Sequence, residues 1–392
     1  RTGQLFIGPC SKYHRITGEI ILPVFNFLIM ASKKKRNIAM FLGAGASKAF
    51  NYPVTKEILK IIINDIRSAE LFSDADINPG QAELYRLLVK ELIINLSPGL
   101  RGIFEKNDPV NEDKLPLITD LLSQAEHLYN NEHALADFNF DIKNALLGKI
   151  NTLNERWNLK DVITLLEWSI IKAINKDGDT RETKLNKFIN WVRHTNKSED
   201  AFISIITSNY DYSVEWNLLE YGEGNDAHNL IDYGFNWRDV AEDDGKVYLR
   251  PAKPLFRVFK LHGSTDWLKC ARCGFIYINP TVDIYDLAFS NERKNANMCH
   301  CGYWPLSPVL VTPSFSRTVK DTNLSQVWRN TLELLRTADE WIITGYSLPG
   351  EDLDIKSLFI RALKGRRNPP IIKVIQQSRN SETKYDYFFG AG

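Results

Sequence analysis

The run from Arg36 to Lys48 most constrains what this chain can fold into. It passes from an apolar stretch, Ile38 to Leu42, into Gly43-Ala44-Gly45 and on to Ser47. That order reads as a buried strand, a tight turn and a helix beginning near Ser47. Only glycine lets a backbone turn so tightly and still leaves room for a ligand phosphate. A helix start offers N–H groups and a positive dipole end, which suit a pyrophosphate. The third glycine of the full dinucleotide fingerprint is replaced by Lys48. On its own the motif fits any strand-to-helix turn of an α/β protein.

The 392 residues allow one large or two modest domains with a substantial core. Lys and Arg number 49 against 48 Asp and Glu, so bulk charge does not hold this chain to nucleic acid. Four of the five cysteines fall at Cys270, Cys273, Cys299 and Cys301, too clustered for a disulfide scaffold. Metal binding in a reducing cytoplasm fits them better. The most apolar stretch, Ile20 to Met30, is short and interrupted by Pro23 and Asn26, so no membrane span is expected. Lys12 and Arg15 give it a superficial likeness to a signal peptide, but a cysteine–metal knot and a dinucleotide site belong inside the cell. Met30 reads as a native start, and residues 1–35 as an N-terminal extension or an arm for subunit contacts.

After the glycine turn, Asn51 to Thr55 forms a loop with Thr55 as N-cap of the next helix. Leu84, Leu87, Leu88 and Leu92 share one helical face, and Ile163, Leu165, Leu166, Trp168 and Ile170 mark a more apolar helix. Residues 56–196 therefore read as a helical insertion. Strand signals return at Phe202–Thr207, Leu255–Leu261, Val309–Thr312, Trp341–Thr344 and Ile371–Ile375, with helical stretches Leu324–Arg336 and Leu353–Leu363 between the later ones. The expectation is an α/β fold: a doubly wound, Rossmann-like parallel sheet from residues 36–55 and 197–377, with the large helical insertion, a small zinc-ribbon module at 266–305 and a tail at 378–392.

The distinctive residues fall just beyond the predicted strands. The second ends in Thr207-Ser208-Asn209-Tyr210-Asp211, where Asn209 or Asp211 either meets a ligand or caps the following helix. The third ends in Leu261-His262-Gly263, the fifth in Gly345-Tyr346-Ser347, and the last at Gln376, whose amide suits a ribose or adenine edge. Together with Gly43 to Ser47 these endings describe one crevice at the carboxyl side of the sheet. Cys270 and Cys273 form a Cys-x₂-Cys hook, and Cys299 and Cys301 a shorter Cys-x-Cys hook. Four thiolates make the closed tetrahedral shell of a structural zinc, with His300 the alternative ligand.

In this order the motifs resemble the sirtuin superfamily, most of all the bacterial sirtuin-like NAD-consuming effectors of antiphage defence. The resemblance covers the sheet from about residue 36 to 377, apart from the helical insertion. It implies an NAD⁺ site with Gly43, Ala44, Gly45 and Ser47 at the pyrophosphate, and Thr207 and Ser208 beside it. Asn209 would orient the nicotinamide ribose or a water, Asp211 would accept from the carboxamide, and His262 would act as general base on ribose hydroxyls. Gly345, Tyr346 and Ser347 would line phosphate and ribose, and Gln376 the adenosine. Protein deacylases of the superfamily carry Asp-Phe-Arg after the glycine turn and a glutamine before the key asparagine. This chain has Asn51-Tyr52-Pro53-Val54-Thr55 and Ser208 instead. The implied activity is hydrolysis of NAD⁺ to nicotinamide and ADP-ribose. The alternatives are deacylation or ADP-ribosyl transfer, or a non-catalytic NAD or ADP-ribose sensor. The resemblance further implies a homo-oligomer working beside a hexameric ATPase of the HerA class, with nucleic acid met only through that partner.

Overall fold

The computed structural model describes residues 4–8, 14–16, 35–75, 77–105, 109–130, 158–176, 183–220, 230–239, 246–278, 284–289, 298–311, 322–350, 352–376 and 380–390. Ile20–Met30 and Thr312 lie outside them. Strands β1 (Gln4–Gly8) and β2 (His14–Ile16) precede β3 (Arg36–Leu42), which leads through Gly43 into α1 (Ala44–Ala49). Helices α2 (Thr55–Arg67), α3 (Pro79–Leu96), α4 (Arg101–Glu105), α5 (Ile118–Asn130), α6 (Leu159–Asn175) and α7 (Thr183–Lys197) come before β4 (Ala201–Thr207). Then follow α8 (Ser213–Glu220), β5 (Ile231–Asp232), β6 (Trp237–Asp239), β7 (Val247–Tyr248), β8 (Phe256–Lys260), β9 (Gly263–Lys269) and β10 (Ile276–Ile278). The chain ends with α9 (Ile284–Phe289), β11 (Ser307–Leu310), α10 (Thr322–Thr337), β12 (Glu340–Thr344), α11 (Leu353–Leu363), β13 (Ile371–Gln376) and α12 (Asn380–Phe389).

The main sheet has eight strands in the order β2-β1-β13-β12-β3-β4-β8-β5. From β13 to β5 all neighbours are parallel, whereas β1 and β2 add antiparallel at one side. β3 and β4 are apolar along nearly their whole length because helices cover both faces. The chain leaves β3 toward β4 on one side while β12 lies on the other, so the topological switch falls between β3 and β12. One row of paired residues, Ile375-Thr344-Leu42-Thr207-Lys260, crosses five strands at their carboxyl ends. Every sheet residue expected at the crevice lies in that row or within five positions beyond it.

At the switch two turns meet backbone to backbone. The Gly45 N–H donates to the Gly345 carbonyl at 2.8 Å, and the Gly43 N–H to the Thr344 carbonyl at 2.9 Å. A Cβ on Gly43 would sit 2.6 Å from the Tyr346 Cα, and one on Gly345, whose φ is +66°, 2.3 Å from the Ala46 nitrogen. Side chains are thus excluded at both positions for steric reasons, and at Gly345 for conformational ones as well.

Three expectations change. The run Val309–Thr312 does not join the parallel sheet: β11 pairs antiparallel with β9 in a second sheet of order β11-β9-β10-β6-β7. A short apolar run says that a strand is buried but not which sheet buries it. That second sheet gives the cysteine region a core of its own, where Phe235 and Trp267 meet edge-on at 5.0 Å and Trp237 stacks on Tyr248 at 4.7 Å. Finally, α1 starts at Ala44, not near Ser47, and Thr55 is already helical; the Val54 N–H before it donates to Glu57 at 2.9 Å.

Between β3 and β4, α6 is the hub. Asn158 and Asp161 cap its start reciprocally, and it packs on α2, α3 and α5. Its other contacts are with β9, β11 and α9, so the helical region rests on the second sheet, while α7 covers β4. The glycine contact yields a first test. Gly345→Ala is expected to lower unfolding stability by at least roughly 1–3 kcal/mol in a urea titration. Gly350→Ala, where an added Cβ meets nothing within 4 Å, is expected to leave the midpoint nearly unchanged.

Candidate functional site

The strand-end row brings the expected residues into one neighbourhood and divides them by task. Gly45 and Ser347 are exposed, and Ala44, Ser208, Asn209, Gly345 and Gln376 are half-buried. Gly43, Ser47, Thr207, Asp211, His262 and Tyr346 are buried. The first group is reachable by a ligand; most of the second holds the first in place.

Around the glycine turn, the amides of Gly43, Gly45 and Ala46 are engaged by Thr344, Gly345 and Gly43 carbonyls. Among the described residues, only the Ala44 N–H of this turn keeps no partner within the chain. The helix behind it has six residues. The turn therefore offers one amide, not the several expected of a helix start. Ser47, expected at the pyrophosphate, instead donates from its hydroxyl to Asp211 Oδ2 at 2.5 Å.

On the β4 side, Thr207 Oγ1 donates to the Leu42 carbonyl at 3.0 Å and accepts from the Asn209 N–H at 3.0 Å. The Ser208 N–H donates to the same Leu42 carbonyl at 3.3 Å. Asn209 Nδ2 donates to the Gly43 carbonyl at 2.9 Å, which fixes its carboxamide against the glycine turn. Its Oδ1 accepts no hydrogen bond from the described residues. Asp211, expected to accept from a ligand carboxamide, spends both oxygens inside the chain. Oδ2 takes the Ser47 hydroxyl, and Oδ1 takes the Ser213 hydroxyl and, at 3.3 Å, the Ser213 N–H. It locks α1 to the start of α8.

His262 lies two residues past Lys260, as Asn209 lies two past its paired partner Thr207. Neighbouring strands run about 4.8 Å apart, so the two residues follow the adjacent ends of paired strands. The imidazole is 3% exposed, with the Tyr210 ring 6.3 Å away and Trp328 6.4 Å away. Both rings are anchored: Tyr210 Oη donates to the Val311 carbonyl at 2.9 Å and Trp328 Nε1 to the Leu261 carbonyl at 3.0 Å. On the β12 side, the Tyr346 hydroxyl donates to Asp352 at 2.8 Å. The Tyr346 carbonyl accepts from Gln376 Nε2 and from the Tyr385 hydroxyl. Gln376, expected at the adenosine, thus uses its amide nitrogen to brace the Gly345 turn.

Beneath Asp211 lies a charged cluster that sequence reasoning missed. Lys260, fully buried, sits 2.8 Å from Glu215 Oε1 and also donates to the Asp211 carbonyl. Asp266 and Tyr233 lie near enough to Glu215 to interact with it electrostatically. Burial pushes the Glu215 carboxyl up to about 7 against the pull of Lys260, and burial pushes Asp266 up too. A lysine inside Phe256-Arg257-Val258-Phe259-Lys260, a strand covered on both faces, was the available signal.

The cysteines fit a metal. Cys270 and Cys301 sulfurs are 3.7 Å apart, Cys273 and Cys299 3.4 Å, and all four lie within 4.8 Å of one another. A tetrahedral zinc with bonds of about 2.3 Å needs sulfurs roughly 3.8 Å apart. Burial pushes the Cys270 thiol up, but N–H donation from Cys273 and Arg272 outweighs it and brings the group to about 7. His300 stands outside the four-sulfur group: its Nδ1 lies 2.8 Å from the Tyr277 hydroxyl and 3.4 Å from Cys299 Sγ. Four sulfurs leave no open position, so the centre pins the β9–β10 turn and is not built for catalysis.

No protein-family model and no curated protein matches the sequence. Among solved structures, the chain is similar to one reported for the mechanism and regulation of Sir2 enzymes, at 13% identity over 84% of this chain and 78% of that one, with TM-score 0.30. It is also similar to a Sir2 homologue complexed with 2'-O-acetyl ADP ribose, at 12% identity over 83% and 75%, with TM-score 0.31. At these values the likeness adds no weight, and the functional reading stands on the site's own geometry. Among the described residues no helix is long and apolar enough to cross a membrane.

Two measurements test the site. Metal analysis of the purified chain is expected to give one zinc per chain, lost in Cys270→Ser and Cys299→Ser; an undiminished zinc content in both would exclude this centre. Glu215 keeps its proton to higher pH folded than unfolded, so the stability it contributes is full below about 4.5 and lost as pH rises through about 7. Urea titrations from pH 4.5 to 7.5 should show wild type losing stability relative to Glu215→Gln as pH rises through that window.

Proposed function

We propose that the chain is an NAD⁺ glycohydrolase, which hydrolyses the nicotinamide–ribose bond to release nicotinamide and ADP-ribose. The observation that supports it is the placement of Asn209 and His262 each two residues past paired ends of neighbouring strands, beside backbone-packed glycine turns at the switch point of a parallel sheet. That is where open α/β sheets hold dinucleotides. The leaving group is already cationic, so the barrier is lowered chiefly by positioning and by local electrostatics around an oxocarbenium-like ribose. Asn209, its carboxamide fixed by Gly43, presents Oδ1 to orient the attacking water or a ribose hydroxyl. His262 takes the proton that water gives up, the side chain suited to this near neutral pH. Ala44 N–H, Gly45 and Ser347 are the accessible groups for the pyrophosphate and ribose.

The ordered motifs support a wider reading as the NAD-depleting effector of an antiphage system, acting as a homo-oligomer beside a HerA-type ATPase. The loop Asn51 to Thr55 and Ser208 favour hydrolysis over peptide deacylation. The test is NAD⁺ loss and ADP-ribose formation without an acyl-peptide, by the protein alone and after co-expression with its genomic neighbour. Asn209→Ala and His262→Ala are each expected to cut cleavage by roughly 100-fold or more while remaining folded. Wild-type nicotinamide release by both variants, or strict dependence on an acylated peptide, would sink the assignment.

A further inference from the structure

The buried cluster at Lys260 is not part of the chemistry above, yet it is an unusual thing to keep in a core. Lys260 is 0% exposed, Glu215 1% and Asp266 3%. Taking such charges out of water costs several kcal/mol each, and well-packed apolar residues in their place are often as stable or more so. Stability therefore does not account for the lysine. Its bonds do.

The ammonium is held 2.8 Å from Glu215 Oε1, on α8, and it donates to the backbone carbonyl of Asp211. That carbonyl lies two residues after Asn209, while Lys260 itself lies two residues before His262. One side chain thus spans the two peptide segments that carry the expected reacting groups. The tie continues outward, because the Asp211 carboxylate takes the Ser47 hydroxyl at 2.5 Å and so reaches the helix behind the glycine turn. The turn between has its own lateral support: the Tyr210 carbonyl accepts from the Thr265 N–H at 2.8 Å and from the Ser264 hydroxyl at 3.2 Å. Neither Asp266 oxygen accepts a hydrogen bond of good geometry. Burial pushes the Asp266 carboxyl up, against the pull of Lys260.

We propose that Lys260 is a positioning residue for cleavage of the nicotinamide–ribose bond. From the strand bearing His262 it grips the Asp211 carbonyl and so fixes the turn bearing Asn209 at the spacing from His262 that the reaction needs. Glu215 is the carboxyl that faces the buried ammonium, at 2.8 Å. The inference rests on the NAD⁺-cleaving reading for its chemistry, but its geometric claim is testable without turnover.

Removing the lysine alone would leave Glu215 buried without its partner, so the informative variant is Lys260→Met combined with Glu215→Gln, which removes both ionisable groups and keeps the volume. It is expected to unfold within a few degrees of wild type and to keep the KM for NAD⁺ within about threefold, while kcat falls by about tenfold or more, since misplacement by a fraction of an ångström is costly. Hydrogen exchange read by mass spectrometry should show amides 209–213 exchanging faster by about tenfold or more, with those of 84–96 unchanged. Unchanged kcat, or a loss confined to KM, would overturn the positioning role. Unchanged exchange at 209–213 would overturn the clamp itself. If wild type cleaves no NAD⁺ under any condition, the functional reading fails separately, and the exchange comparison still decides whether Lys260 holds the turn.

Discussion

The constraint on which this molecule depends is the approach of two backbones at the switch point of its main sheet. Gly45 N–H meets the Gly345 carbonyl at 2.8 Å, with no side chain between the turns. Because the turns touch, Gly43 offers its carbonyl to Asn209, and the Gly345 turn can be braced from behind by Gln376 and Tyr385. The glycines here are chosen first for packing, and any ligand approach follows from the shape that packing leaves. The same closeness consumes the amides that a looser turn would have presented to an anion.

The sheet was legible because parallel strands buried on both faces are written as short apolar runs, and Phe202–Thr207, Trp341–Thr344 and Ile371–Ile375 are such runs. The row of strand ends followed from it, since residues just beyond those runs must share one rim. Side-chain partners were less legible. Asp211, Ser47 and Gln376 have the right chemistry for a ligand, but the sequence does not reveal that each already has a partner more than 25 residues away, as Ser47 and Asp211 are 164 apart. The second sheet was hidden for another reason: β6 and β7 are three and two residues long, too short to carry a periodic signal.

That second sheet changes what the metal centre is for. With Trp267, Phe235 and Trp237 buried beneath it, the cysteine region has apolar support, so the four sulfurs fix a turn and do not replace a core. Helix α6 lies against β9 and β11, which links the helical region to the strand that follows directly from His262. Just past β11, Val311 donates its N–H to the His262 carbonyl at 2.8 Å and accepts from Tyr210 Oη at 2.9 Å, which ties the second sheet to both strand-end segments.

The outer strands of the main sheet carry a last implication. At one border the hairpin β1–β2 ends in a strand of three residues, and at the other β5 has two. Borders this brief give another chain almost no ladder of free N–H and C=O groups to zip onto, a common defence against runaway edge-to-edge aggregation. Among the described residues, the borders of the main sheet thus offer a second copy of this chain little backbone to extend it strand by strand.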